Sequence, residues 1–136
     1  MAELRYDDIA VGAELPPLQT EPITRLTLAL YCGASGDHNP IHVDSDFARS
    51  AGIDDVFAHG MLGMAYLARV VTGWVPQRAV RSLSVRFVAI THVGDCIVCR
   101  GSVVEKLPGR QVRVTLTAHD QSGVVKLAGE AIVELP

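Results

Sequence analysis

The sequence predicts an α+β domain in which an antiparallel sheet wraps around one central apolar helix, and three observations lead there. Apolar residues recur at helical spacing in the first half, the period changes to two after Val80, and the segment from Gly60 to Gly73 is apolar nearly all round. A helix with so little polar surface belongs inside a protein, and a run of half-exposed strands supplies its cover.

The elements follow in chain order. From Thr24 to Ser35, Leu26, Ala29, Leu30 and Gly33 mark a first helix, with Pro22 ahead of it and Gly33 and Gly36 at its end. Asp44 caps a short helix through Phe47, Ala48 and Arg49 that stops before Gly52. The apolar segment Gly60 to Gly73, interrupted clearly by Arg69 and Thr72 alone, is expected to be buried on every side. Then Leu83, Val85, Phe87 and Ala89 alternate with Ser84 and Arg86, and Val112, Val114, Leu116 and Ala118 alternate with Arg113, Thr115 and Thr117. Strands are also expected over Cys96 to Leu107 and Val124 to Leu135. Turn chemistry at Leu107-Pro108-Gly109-Arg110 and Gln121-Ser122-Gly123 joins neighbours, so an antiparallel meander is expected.

The 136 residues make a single domain, 1–136, and the 49% apolar content lets an ordinary core form without disulfide or metal support. A formal net charge of −3 gives no basic footprint for nucleic acid. Residues 1–77 hold four Lys/Arg against ten Asp/Glu, and residues 78–136 hold eight against five. The arginines of the second half, Arg78, Arg81, Arg86, Arg100, Arg110 and Arg113, suit either a solvated face or the anionic tail of a ligand. The polar, acidic start lacks a secretory signal, and the stretch Met61 to Val75 is too short to span a bilayer and contains Arg69. A cytoplasmic protein without membrane partners is therefore expected. Cys32, Cys96 and Cys99 are odd in number, against a disulfide framework. Cys96 and Cys99 fall in a strand, where side chains three apart face opposite ways, so they make no zinc half-site.

The chemistry is concentrated in Asp37-His38-Asn39-Pro40-Ile41-His42-Val43-Asp44. Pro40 forbids a continuous helix from His38 to His42 and biases Asn39 to an extended conformation, so this is a loop of fixed shape. Asp37 and His42 on such a loop can converge on one water, the carboxylate and a neutral imidazole nitrogen each accepting one of its protons. Asn39 is expected to hold the loop through its amide, which neither titrates nor attacks. The same proline spoils the spacing that would align His38 and His42 with His59 on a metal, and no metal is expected. Ser35 in Gly33-Ala34-Ser35-Gly36 lacks the second glycine of a nucleophile elbow, against a serine hydrolase.

Ala58-His59-Gly60-Met61 opens the apolar helix. The first amides of a helix lack internal partners and carry the positive end of its dipole. Gly60 leaves them open to a carbonyl oxygen, whose developing negative charge they would stabilise. His59 either contacts substrate or orients the chain ahead of the helix. Met61, Leu62, Met64, Tyr66 and Leu67 read as core.

Asp37-His38-Asn39-Pro40-Ile41-His42 followed by His59-Gly60-Met61 at the head of an apolar helix resembles the MaoC-like hot-dog family of (R)-specific enoyl-CoA hydratases and (3R)-hydroxyacyl-ACP dehydratases. The resemblance is strong from about Thr24 to Trp74. It implies a hot-dog fold, a sheet around a central helix, with two such units associating. It implies that Asp37 and His42 are the catalytic pair and that the Gly60 amide, and by extension that of Met61, is the oxyanion donor, with Asn39 and His59 also in the substrate site and Leu62 and Tyr66 lining an acyl tunnel. Some relatives carry a serine on the central helix facing substrate; this helix has none.

The implied reaction is reversible hydration of a trans-2-enoyl thioester of CoA or acyl carrier protein in fatty-acid metabolism, with no cofactor. The partner is expected to be a second copy or another hot-dog subunit. A hot-dog thioesterase is the rival in another reaction class, and an acyl-chain-binding subunit of a heteromeric dehydratase is the non-catalytic alternative. The Asp37 and His42 pair coupled to His59-Gly60-Met61 favours the hydratase.

Overall fold

The computed structural model describes residues 3–136, and among them lie three α-helices and five strands. Helix α1, Arg25–Ser35, begins where Thr24 Oγ1 accepts from the Thr27 amide at 3.1 Å and ends at Gly36, whose left-handed φ of 75° turns the chain out. Helix α2, Ser45–Ser50, is capped by Asp44, whose carboxylate accepts from the amides of Asp46 and Phe47. Helix α3, Gly60–Thr72, follows, with His59 at its N-cap.

Strands β1 (Leu18–Gln19), β2 (Val80–Phe87), β3 (Val98–Leu107), β4 (Gln111–His119) and β5 (Val125–Glu134) form one antiparallel sheet in the order β1-β3-β4-β5-β2. It curls round α3, which touches all five strands. The core lies between them, with Leu62, Leu67, Val70 and Val71 of α3 against Val112, Val114, Leu116 and Ala118 of β4 and their neighbours on β3 and β5.

Four expectations change. Strands β3, β4 and β5 form the expected meander, but β2 pairs with the far edge of β5 rather than with β3. Alternation identifies a strand without naming its neighbour. Where β2 meets β5, a Cβ on Gly129 would stand 2.1 Å from the Ser84 carbonyl oxygen, so glycine alone lets the strands close. Strand β3 starts at Val98, leaving Cys96 outside it, and β1 is an added short strand paired with β3.

The Leu26, Ala29, Leu30, Gly33 stripe of α1 faces outward, with Leu26 67% and Leu30 66% exposed, while Leu28 is buried and Tyr31 and Cys32 are half-buried. Two stripes of helical period run along α1, and the one that meets the core carries Leu28 and Tyr31. Helix α3 is not buried all round either. Met61, Ala65, Arg69 and Thr72 form an exposed stripe, with Met61 54% exposed.

Candidate active site

A ladder of side-chain to amide hydrogen bonds shapes the loop after α1. Ser35 Oγ accepts from the Asp37 amide at 3.1 Å, Asp37 Oδ1 from the Asn39 amide at 3.2 Å and Asn39 Oδ1 from the Ile41 amide at 3.1 Å. Each bond satisfies a local amide without helix or sheet, which is why short polar side chains recur here. Asn39 thus caps a single 3-10 turn, Pro40–His42, and that turn carries His42 inward while Asp37 and His38 stay exposed.

His42 is 8% exposed, and its Nδ1 lies 2.7 Å from the carbonyl oxygen of Phe57. A carbonyl only accepts, so Nδ1 carries the proton and donates. In a neutral ring this tautomer leaves Nε2 as the acceptor. His59, 2% exposed, stacks on His42 with ring centroids 3.9 Å apart, and the edge of Tyr31 closes on it at 4.8 Å. Neither ring nitrogen of His59 has a hydrogen-bond partner among the described residues. Burial pushes the His59 imidazole below its usual range, and the neighbouring His42 adds to this; the backbone and carboxylate of Asp37 pull the other way.

One ligating atom from each of Asp37, His42 and His59 lies within 4.8 Å of the others. Two imidazoles and a carboxylate form a donor set that a divalent ion would accept. The two rings are stacked only 26° from parallel, so the planes that hold their lone pairs do not converge on a nearby point. That suits hydrogen bonds to water better than two bonds to a single ion.

The helix ladder of α3 begins at the Leu62 amide, which donates to the His59 carbonyl at 3.1 Å, so the amides of Gly60 and Met61 precede it. A cavity of about 290 Å³ opens beside them, with His59, Gly60, Gly63, Phe87, Ile90 and Leu127 among its walls. A Cβ on Gly60 would come within 2.9 Å of the Phe87 ring, so glycine here lets the ring lie over the helix end.

The structure brings Asp37, His42 and His59 together and places His59 and Gly60 on the cavity wall; Asp37 and His42 lie outside that wall. Leu62 and Tyr66 do not line it, because the helix face turned to it is Gly60 and Gly63. Leu62 is in the core, Tyr66 is half-buried against the core, and the Met61 side chain points to the surface. The sequence does not mark Tyr31 or Phe57 as site residues, and it reads Phe87 only as a strand position. Tyr31 sits on the inner stripe of α1, which is the one signal that could have found it.

A larger hollow of about 720 Å³ lies at the other end of α3, near Trp74. The charged groups there pair among themselves, Arg81 with Glu134 at 2.8 Å and Arg78 with Glu3 at 3.5 Å, so the smaller cavity beside the unpartnered imidazole is the better candidate. Arg113 is likewise paired, with Glu105 and Glu130.

Residues 9–124 match the family described as MaoC like domain. The chain is 28% identical over 133 residues to the (R)-specific enoyl-CoA hydratase of Rhodospirillum rubrum, covering 96% of this chain and 91% of that protein. It is 28% identical over 136 residues to the 3-hydroxybutyryl-CoA dehydratase of Methylorubrum extorquens, covering 98% and 85%. Among solved structures, the unliganded R-hydratase PhaJ1 from Pseudomonas aeruginosa superposes with a TM-score of 0.87 at 28% identity, covering 98% of this chain and 86% of that one. Among the described residues no helix is long and apolar enough to cross a membrane.

Proposed function

This chain belongs to the MaoC-like family and is an enzyme of the hydratase and dehydratase kind, and we propose that it reversibly hydrates a trans-2-enoyl thioester, or dehydrates the (3R)-hydroxyacyl form, on CoA or acyl carrier protein. The observation that carries this reading is the approach of the Asp37 carboxylate and the His42 ring, with one ligating atom of each within 4.8 Å and Nε2 of His42 left as an acceptor.

In the hydration direction, a water held between Asp37 and Nε2 of His42 attacks the β-carbon and gives up a proton to the pair. The electron pair of the double bond moves towards the thioester, and the amide of Gly60 stabilises the oxygen of the resulting enolate. The pair then returns the proton to the α-carbon, so the substrate gains one water in all. Proton transfer of this kind contributes about 10² to 10⁴ in rate, and one oxyanion donor about 10² to 10³. Dehydration retraces these steps.

The test follows crotonyl-CoA by loss of the enoyl absorbance and, in parallel, by release of free thiol. Hydration to the (3R) product without thiol release is expected. Thiol release without hydration would replace this reading with a thioesterase.

A further inference from the structure

The reaction above leaves three buried charges without a task, Asp95, Asp120 and Lys126, and of these Lys126 also lines the cavity beside His59 and Gly60. Lys126 is 5% exposed on β5, beside the core residue Leu127. Its Nζ donates to the Ile90 carbonyl at 2.7 Å and lies 3.6 Å from Asp95 Oδ2 and 3.5 Å from Asp120 Oδ2. The backbone carbonyl of the same residue accepts from the amides of Val88 at 2.8 Å and Ala89 at 3.2 Å. Lys126 therefore grips the segment after β2 from both its main chain and its side chain.

That segment leads directly to the candidate site. The Thr91 carbonyl, next to the one that Lys126 holds, accepts from the Ala58 amide at 2.9 Å, and Phe57 bridges to His92. Ala58 precedes His59 and Gly60. Phe57 supplies the carbonyl that receives the His42 Nδ1 proton. Asp95 accepts from the His92 amide at 2.8 Å, and Asp120 accepts from the amides of Ser122 and Val124 in the turn before β5. Both carboxylates are thus anchored to backbone as well as to the ammonium.

On the functional reading above, we propose that Lys126 is a positioning residue: it holds the Ile90–Thr91 carbonyls in place, and these fix Phe57 and Ala58 and with them both the His42 ring and the Gly60 amide. A buried ion pair adds little stability over apolar packing of the same volume. What an ammonium supplies and a leucine does not is direction, because its donors fix where the Ile90 carbonyl points. Misplacing a reacting group by about 1 Å costs on the order of 10²-fold in rate, so a small shift of this strap is enough to matter.

The experiment compares the full chain with Lys126→Met. The readouts are kcat and KM for crotonyl-CoA hydration and the amide hydrogen exchange of Ala58 against Val114 in β4. The expected result is a kcat lower by about 10- to 100-fold, a KM within about 3-fold, and a rise in exchange at Ala58 at least about 10-fold larger than any rise at Val114. A folded variant with parental kcat and parental Ala58 exchange overturns the proposal. So does exchange that rises equally at both amides, which would mean general loosening. If Lys126→Met does not fold, Lys126→Gln drops the charge, keeps a donor for the Ile90 carbonyl and carries the same readouts. The exchange measurement needs no substrate. A parent chain that fails to hydrate crotonyl-CoA therefore removes the functional reading alone, and the Ala58 amide still decides the role of Lys126.

Discussion

The ring of His59 lies almost flat on the ring of His42, with centroids 3.9 Å apart and planes 26° from parallel. Two imidazolium ions at that distance would repel each other, so the stack opposes the protonated form of His59.

The first prediction concerns acid. Burial holds His59 below the 6.5 of a free imidazole, a value it regains on unfolding. Between the two values the unfolded chain binds the extra proton, so stability rises with pH there and is lost as pH falls below 6.5. Melting temperatures from pH 7.5 to 5 should fall more steeply in the parent chain than in His59→Gln. Parallel curves would contradict this account of the buried ring.

Asp37→Asn and His42→Ala should each lower kcat for crotonyl-CoA hydration by about 10² to 10⁴. Asp37 is exposed, so its substitution should leave the melting temperature close to that of the parent. A near-parental rate in either variant would take that residue out of the mechanism.

Two glycines should respond in opposite ways. Gly60→Ala places a methyl 2.9 Å from Phe87, whose side chain belongs to a residue 57% exposed and can swing away, so stability should change little while turnover falls. Gly129→Ala meets the Ser84 backbone and cannot be relieved so easily; it should cost about 3 kcal/mol or more in urea unfolding. The pattern fails if Gly60→Ala unfolds the chain or keeps full activity.

The thiols should divide by burial. Burial pushes Cys99 up to about 11, whereas Cys32 and Cys96 are half-buried. Iodoacetamide at pH 8 should modify the latter two in the folded chain and reach Cys99 only on unfolding, as mass mapping of peptides would show. Early labelling of Cys99 would contradict its placement in β3.

The outer edge of β2, the exposed Phe87, Val88 and Ile90, and the outward stripe of α3 together call for a cover. Sedimentation at micromolar concentration should give twice the chain mass, and a monomeric mass would refute this.

Much of the architecture could be read in advance because its signals are local. Thr24, Asp44 and Gly36 mark helix ends by their own hydrogen bonds or dihedrals, and Pro40 with Asn39 shapes the loop that turns His42 inward. What could not be read depends on distant partners. The pattern of Val80–Phe87 says strand but not that β5 is its neighbour, and Leu26 and Leu30 suit a buried stripe as well as an exposed one. Met61 looked like core because an apolar side chain gives no sign of whether its own chain covers it. Lys126, set between Val125 and Leu127, was passed over because its two aspartates come from other loops.

The placement of β2 against β5 also orders events during synthesis. A ribosome delivers the Asp37 to Gly60 stretch before the Val125–Glu134 strand, so Phe87 has no β5 to pair with until that strand emerges. Until then a nascent chain would carry Asp37, His42 and Gly60 but lack the cavity wall that Lys126 and Leu127 supply.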